Sequence, residues 1–293
     1  MIMLLALASL VAILCRPAAP LMAQPSQLSF GASRFDFDYR DDQAARPITI
    51  WTYRPKELLP DAPVLVVMHG VQRNGRHYRD RWQPYADRGK ALLLVPEFSV
   101  ANFPGAGGYA AVKPDASSVE EGGTPAAYAA IEQIFDRAMT LTGLKTPDYR
   151  IYGHSAGGQF VHRFVMLNAK ARMRIAVAAN AGWYMLPDFA RNGPYGLRGS
   201  GITQAQLKAS FAKELIVLLG EKDHDPKHPS LSRAAGPMRQ GPHRFARGEF
   251  FFRTAQEAAA KLNTPFAWKL STVADADHDN AKMAPAAFTW LMR

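Results

Sequence analysis

Short apolar segments alternate with helical patterns along most of this 293-residue chain, and this alternation limits the possible folds more than any other feature. A continuous apolar run is typical of a strand that is buried on both faces, as in a parallel sheet. Strands are predicted at 48–53, 64–68, 91–95, 149–152, 174–179, 214–219 and 266–273, and helices at 77–88, 124–141, 156–169, 248–262 and 285–292. The sequence therefore predicts an α/β fold with a mainly parallel central sheet and helices on both faces.

The predicted strands and helices belong to one domain, because neither an internal repeat nor a linker interrupts them. We expect this single domain to span residues 48–293, after a polar and partly ordered N-terminal segment at 24–47. Two excursions leave the alternating pattern, at 97–123 and at 220–248. Long connections of this kind often carry binding residues.

The first 14 residues form an almost unbroken apolar run, which is shorter than the roughly 20 residues of a membrane span. Arg16, Pro17 and a stretch that ends at Ala23 follow, a pattern typical of a secretory signal peptide. We expect cleavage after Ala23 and a periplasmic or secreted protein without stable membrane insertion. A retained anchor and a lipoprotein attached at Cys15 are the alternatives. Cys15 is the one cysteine of the chain, which excludes a disulfide framework and a cysteine zinc site.

The chain carries a formal net charge of +10, which raises the possibility of nucleic-acid or anionic-surface binding. The basic residues are scattered, with two local enrichments, and form no nucleic-acid recognition motif. We therefore expect a solvated basic surface and no nucleic-acid partner. The enrichments comprise Arg73, Arg76, Arg79 and Arg81, and Arg233, Arg239, Arg244 and Arg247.

The segment Gly153-His154-Ser155-Ala156-Gly157 matches G-x-S-x-G and lies between a predicted strand and a predicted helix. This context predicts a nucleophile elbow, a tight strand-to-helix turn with serine at its apex. The flanking glycines suit a turn in which a side chain would clash. Ser155 would then present its hydroxyl at the helix N-terminus, with the Ala156 amide directed at a developing oxyanion. An ordinary Gly/Ser turn is the alternative.

A serine hydroxyl needs a base to remove its proton, and the base in turn needs an acid to orient it. His278 follows the last predicted strand, where the base of such a site is expected. Asp223 follows the preceding strand, three residues after Gly220, and is the preferred acid. Asp225 and Glu221 are alternative acids, and His278 could instead be a surface-loop histidine.

The loop after the strand at 64–68 begins His69-Gly70-Val71. Gly70 permits a sharp bend, and the Val71 amide is the expected second oxyanion donor beside that of Ala156. We predict a structural hydrogen-bonding role for His69 rather than a catalytic one.

Trp183 and Tyr184 follow the strand at 174–179 and are predicted to line the acyl pocket, with core packing as the alternative. Tyr109 and Phe103 are weaker candidates. The stretch 225–247 could overhang the site and steer anionic substrates, although a solvated loop is favoured. Acidic and histidine residues at 223–225 and 275–279 lack metal-ligand spacing, so no metal and no cofactor are predicted.

These residues together resemble the α/β-hydrolase superfamily over roughly 48–292: His69-Gly70, the elbow, Asp223 and His278. Within it, the chain resembles exported esterases related to polyhydroxybutyrate depolymerases and feruloyl esterases, through the segments at 69–74, 78–80 and 96–98. It departs from disulfide-bearing depolymerases by having no cysteine after residue 15, and it shows no separate substrate-binding domain.

The resemblance implies a serine hydrolase that cleaves small or oligomeric hydroxyacid or aryl esters through an acyl-enzyme. A serine peptidase, an acyltransferase and a non-catalytic binding protein on the same fold are the alternatives. The presence of Ser155, Asp223 and His278 together argues against the non-catalytic interpretation.

Overall fold

A computed structural model describes residues 27–40, 45–111 and 126–293. The predicted signal peptide and its cleavage site lie outside these residues, as does most of the second half of the 97–123 excursion. No helix in the described ranges is both long enough and apolar enough to cross a membrane.

Eight strands form one sheet in the described residues, in the order β1-β2-β4-β3-β5-β6-β7-β8. The pairs β1–β2 and β2–β4 are antiparallel, and every other pair is parallel. The mainly parallel sheet that the sequence predicts is therefore confirmed. The strands are β1 (Gly31–Arg40), β2 (Ala45–Arg54), β3 (Val64–Met68), β4 (Leu92–Glu97), β5 (Tyr149–His154), β6 (Met173–Ala179), β7 (Glu214–Gly220) and β8 (Lys269–Val273).

Helices cover both faces of the sheet, because the central strands are apolar on both sides and must be shielded from water twice. The helices α1 and α7 pack on one face, and α2, α3 and α6 pack on the other. The described helices are α1 (Gly75–Gly89), α2 (Ala126–Thr142), α3 (Ala156–Leu167), α4 (Gln204–Phe211), α5 (Ala235–Met238), α6 (Arg244–Lys261) and α7 (Asn280–Leu291).

The described part of the N-terminal segment supplies the edge strand β1, which was not predicted from the sequence. Phe35 and Tyr39 are buried there, and Asp36 accepts a hydrogen bond of 2.7 Å from the Thr49 hydroxyl. Aromatic and charged residues alternate along this strand, which is the pattern of a half-buried strand.

Four helices also differ from prediction, among them the short helix α5, which was not predicted, and α7, which begins at Asn280 rather than at residue 285. The helix α4 lies between β6 and β7, where no helix was predicted, and a reciprocal pair of hydrogen bonds between Thr203 and Gln206 caps it. The helix α6 begins four residues earlier than predicted, because the His243 ring accepts a hydrogen bond from the Ala246 amide and caps the first turn.

The expectation of a solvated basic surface is wrong for half of the two arginine groups. Arg73, Arg79, Arg244 and Arg247 are buried, whereas the other four arginines of these groups are exposed. The buried guanidinium groups are accommodated because they donate hydrogen bonds to backbone carbonyls or to carboxylates.

Candidate active site

Ser155 lies on the sharp turn that joins β5 to α3, with a backbone φ of 59° and ψ of −115°. This conformation is uncommon for a residue with a side chain and costs of order 1–3 kcal/mol. The surrounding packing imposes it, because β5, α3 and the end of β3 meet closely at this turn. A Cβ at Gly157 would lie 2.2 Å from the Met68 carbonyl oxygen, and a Cβ at Gly153 would lie 2.2 Å from that of Gly157.

The structure brings together the three side chains predicted to act as nucleophile, base and acid. His278 Nε2 lies 2.9 Å from Ser155 Oγ, and His278 Nδ1 lies 2.7 Å from Asp223 Oδ2. With a proton on Nδ1 donated to Asp223, Nε2 is free to accept the proton of Ser155. The side chain of Asp223 is 3% exposed, so its charge acts in a largely dry environment.

The two alternative acids lie elsewhere. Asp225 is exposed and accepts a hydrogen bond of 2.8 Å from the Lys227 amide. Glu221 is exposed and accepts one of 2.7 Å from the Thr272 hydroxyl. Asp223 is therefore the carboxylate of this strand end that faces His278.

Sequence reasoning missed Arg244, which contacts the carboxylate oxygen of Asp223 that His278 does not. Its Nη1 lies 3.2 Å from Asp223 Oδ1, and its Nη2 donates to Ser230 Oγ at 2.8 Å. Burial lowers the pKa of the Arg244 guanidinium, and the charge of Asp223 opposes that effect. The arginine-rich stretch before α6 was the available signal, but it was interpreted as a surface feature.

Two buried histidines support the site without contacting Ser155 Oγ. His154 packs its ring 4.8 Å from that of His278, and burial lowers its pKa well below the usual value, aided by the charges of His278 and Arg244. His69 Nε2 accepts a hydrogen bond of 3.1 Å from the Phe98 amide, and burial lowers its pKa to about 3. His69 thus joins the ends of β3 and β4, as a structural role requires.

Ser155 lies where two cavities meet. The larger, of about 450 Å³, has an apolar and aromatic wall with two guanidinium groups, from Val71, Ala156, Tyr109, Trp183, Arg73 and Arg244 among others. The smaller, of about 310 Å³, is more polar and is lined by Gly70, Val71, Gln72, His77, Tyr78, His228 and His278 among others. A separate groove of about 600 Å³, between α6 and residues 187–189, contains no side chain of the predicted site.

The predicted oxyanion donors Val71 and Ala156 both border the larger cavity beside Ser155. Arg73, two residues after Val71, fixes this loop by donating to the carbonyls of Phe98 at 2.5 Å and Gly105 at 2.9 Å. The loop that carries the Val71 amide is therefore tied to the start of the 97–123 excursion.

The aromatic candidates separate into cavity wall and core. Trp183 borders the larger cavity, and the guanidinium carbon of Arg163 lies 4.3 Å from the centre of its ring. The prediction that Tyr184 lines the pocket is wrong, because its fully buried ring stacks on Phe251 at 4.5 Å. A side chain directed into the core was not distinguishable from its neighbour by sequence.

The two remaining aromatic candidates divide in the same way. Tyr109 borders the larger cavity and donates a hydrogen bond of 2.7 Å to the His69 carbonyl. Phe103 is buried in the core instead and packs on Phe98.

A serine on a strand-to-helix elbow, at the carboxyl edge of a mainly parallel eight-stranded sheet, defines the class of α/β-hydrolases. Poly(aspartic acid) hydrolase-1 from Sphingomonas sp. KT-1 is 43% identical, with a TM-score of 0.84, and the match covers 91% of this chain and all of that one. The poly(3-hydroxybutyrate) depolymerase LpqC from Bordetella parapertussis is 36% identical, with a TM-score of 0.82 and 89% of each chain covered.

More distant structures share the fold alone, among them an S-formylglutathione hydrolase from Staphylococcus aureus at 16% identity and a TM-score of 0.57, with 89% of this chain and 99% of that one covered. No protein-family model and no curated protein matches the chain. The chain belongs to the α/β-hydrolase superfamily and, within it, to the depolymerase-like hydrolases that include the two more similar enzymes. The prediction of a hydrolytic enzyme of the esterase and depolymerase type is thereby confirmed.

Proposed function

We propose that this protein hydrolyses carboxylic esters with Ser155 as nucleophile, His278 as general base and acid, and Asp223 as the residue that orients His278. The observation that carries the proposal is the continuous hydrogen-bonded chain from Ser155 Oγ through His278 to Asp223, with Ser155 open to two cavities. Nucleophilic catalysis has a recognisable geometry: the nucleophile lies within hydrogen-bond reach of a base, and a third group orients that base.

The reaction proceeds in two acyl-transfer steps. His278 accepts the Ser155 proton as Oγ attacks the ester carbonyl, and the amides of Val71 and Ala156 stabilise the oxyanion. Each such donor contributes about 3–4 kcal/mol of transition-state stabilisation in a comparable site. The C–O bond of the ester then breaks, and His278 returns its proton to the departing alcohol. Water, deprotonated by His278, hydrolyses the acyl-enzyme and restores Ser155.

The two cavities divide the substrate at the scissile bond. The larger cavity, with Trp183 in its wall, suits an apolar or aromatic acyl group, and the smaller and more polar one suits the departing alcohol. The similarity to a poly(3-hydroxybutyrate) depolymerase supports small or oligomeric hydroxyacid esters as substrates. The apolar segment at 1–14 and Ala23 support a periplasmic or secreted location.

A second candidate is the hydrolysis of amide bonds in an acidic polymer, the peptidase-like alternative. Two observations favour it: the 43% identity to a poly(aspartic acid) hydrolase, and the guanidinium groups of Arg73 and Arg244 in the cavity wall. A polymer of aspartic acid carries a carboxylate on every unit, which the charge of Arg73 and the net positive charge of the chain attract.

The protein from Gln24 onward, assayed on p-nitrophenyl esters from acetate to decanoate beside Ser155→Ala, tests the proposal. We expect ester hydrolysis that the substitution abolishes, with a chain-length profile that reports the size of the acyl cavity. Product analysis with oligomeric 3-hydroxybutyrate and with poly(aspartic acid) separates the two candidates. A folded protein that cleaves no ester would overturn the esterase proposal.

A further inference from the structure

Arg244 connects the cavity wall to the acid of the proposed triad. It is the first residue of α6, its side chain is 1% exposed, and it borders the larger cavity. Its Nη1 contacts Asp223 Oδ1, while the other carboxylate oxygen contacts His278. The main chain adds a further link, because the Phe245 amide donates to the Asp223 carbonyl at 3.1 Å.

The contacts of Arg244 differ from those of other buried arginines near the site. Arg73, Arg163 and Arg247 donate hydrogen bonds to backbone carbonyls and thereby hold loops and helices together. Arg244 instead donates to a carboxylate that is 3% exposed and that already serves His278. An ion pair in such a dry environment acts on the charge of its partner as well as on its position.

We propose that Arg244 is a positioning residue of the hydrolytic site, which fixes the Asp223 carboxylate against His278 and sets the acid limit of activity. This inference rests on the proposed function of Ser155, His278 and Asp223. By holding Oδ1, Arg244 leaves Oδ2 directed at Nδ1 of His278. Its positive charge offsets part of the Asp223 charge, so a proton on His278 is stabilised less than it would be by an unpaired carboxylate.

Other charged and titratable groups lie near the Asp223–His278 pair, but none of those described contacts the Asp223 carboxylate directly. His154 is buried and its pKa is lowered well below the usual value, and Asp277 is paired with Lys282 at 3.0 Å. The other titratable groups that lie close to the pair are His228, whose ring centre is 5.3 Å from that of His278, and His243 and Tyr184, which interact with the charge of Asp223. Arg244 and His278 are the side chains that directly contact the Asp223 carboxylate in the described contacts.

Three variants separate charge from hydrogen bonding. Arg244→Gln keeps a donor but removes the charge, Arg244→Lys keeps the charge, and Arg73→Gln removes a charge from the same cavity without contacting Asp223. The readout is kcat/KM against pH on a neutral ester, p-nitrophenyl butyrate, so that binding of an anionic substrate plays no part. Circular dichroism confirms that each variant is folded.

We expect Arg244→Gln to move the acid-side half-maximum of the profile upward by about 1 pH unit, because a nearby charge commonly shifts a titration by about that much. Arg244→Lys should restore the wild-type midpoint, and Arg73→Gln should leave it in place. The inference is overturned if the acid-side midpoint of Arg244→Gln equals that of the wild type, or if Arg73→Gln shifts this midpoint by the same amount. Should Arg244→Gln fail to fold, a Lys variant with a midpoint raised by about 1 unit overturns it.

The same series shows which hypothesis has failed. Ester hydrolysis that persists in Ser155→Ala contradicts the proposed function itself. If Ser155→Ala has lost ester hydrolysis and Arg244→Gln keeps the wild-type acid-side midpoint, only the role of Arg244 is contradicted.

Discussion

The Nδ1 atom of His278 lies 2.7 Å from the Oδ2 atom of Asp223, although 55 residues separate them in the chain. The contact forms because β7 and β8 are parallel neighbours, so the loops after them leave the same edge of the sheet. On the other side of the ring, Nε2 faces Ser155, which follows β5 at that edge. Parallel strand order therefore assembles the site from distant segments.

Asp223→Asn should lower kcat by about 10⁴-fold, because an amide cannot hold the ring in the required tautomer or stabilise its protonated form. Asp225→Asn is the matched control and should stay within about twofold, since Asp225 is exposed and bonded to the Lys227 amide. Steady-state kinetics on a p-nitrophenyl ester compare the two. Equal losses in both variants would contradict the assignment of Asp223 as the acid.

Gly157→Ala should lower the free energy of unfolding by about 3 kcal/mol, because the new Cβ would lie 2.2 Å from the Met68 carbonyl oxygen. Gly107→Ala is the control, since a Cβ there meets nothing within 4 Å, and should change stability by less than about 0.5 kcal/mol. Urea unfolding measures both. An equally stable Gly157→Ala protein would show that the elbow is looser than the structure indicates.

Trp183→Ala should raise KM for aromatic esters by about fivefold, because a ring in the cavity wall contributes about 1 kcal/mol of packing with an aromatic partner. Tyr184→Phe should leave KM unchanged, since this ring stacks on Phe251 in the core. Michaelis–Menten kinetics with phenyl and alkyl esters test the pair. An increase in KM for Tyr184→Phe alone would return Tyr184 to the binding site.

Stability should fall as the pH drops below about 6.5, the usual pKa of histidine. Burial lowers the pKa of His69 to about 3, and it lowers those of His154 and His162 well below the usual value. The unfolded chain therefore binds protons that the folded protein does not, which favours unfolding by about 1.4 kcal/mol per pH unit for each such group.

His162→Gln removes one of these groups and tests the effect. Urea unfolding between pH 7 and pH 5 should show an average pH slope reduced by about 1 kcal/mol per unit relative to the wild type, because the unfolded histidine is only partly protonated near pH 7. We expect the free energy of unfolding of the variant to depend less on pH, whatever stability the substitution removes at neutral pH. An unchanged slope would mean that His162 is protonated in the folded protein.

The sequence was most informative where one local pattern had a single structural solution. The apolar runs predicted β3 and β7 within a residue, because strands buried on both faces tolerate little else. The elbow at Gly153–Gly157 was predictable because its glycines avoid close contacts with the backbone. Chain order along a parallel sheet then predicted that Asp223 and His278 would meet Ser155, as the structure places them. Their catalytic roles stay predictions.

The remaining features depend on contacts between distant segments. Trp183 and Tyr184 are adjacent aromatic residues, and only the packing of α6 decides that one borders the cavity while the other stacks on Phe251. Arg244 resembles a surface arginine until its partner Asp223 is placed beside it. The edge strand β1 could have been predicted from the sequence, because its aromatic and charged residues alternate.

Labelling with a fluorophosphonate probe, followed by intact-mass and peptide mass spectrometry, tests the central claim that Ser155 is the nucleophile. We expect one adduct per chain on the peptide that contains Ser155, loss of ester hydrolysis in step with labelling, and no adduct in Ser155→Ala. An adduct on another residue that abolishes activity, or full labelling of Ser155→Ala, would contradict the account.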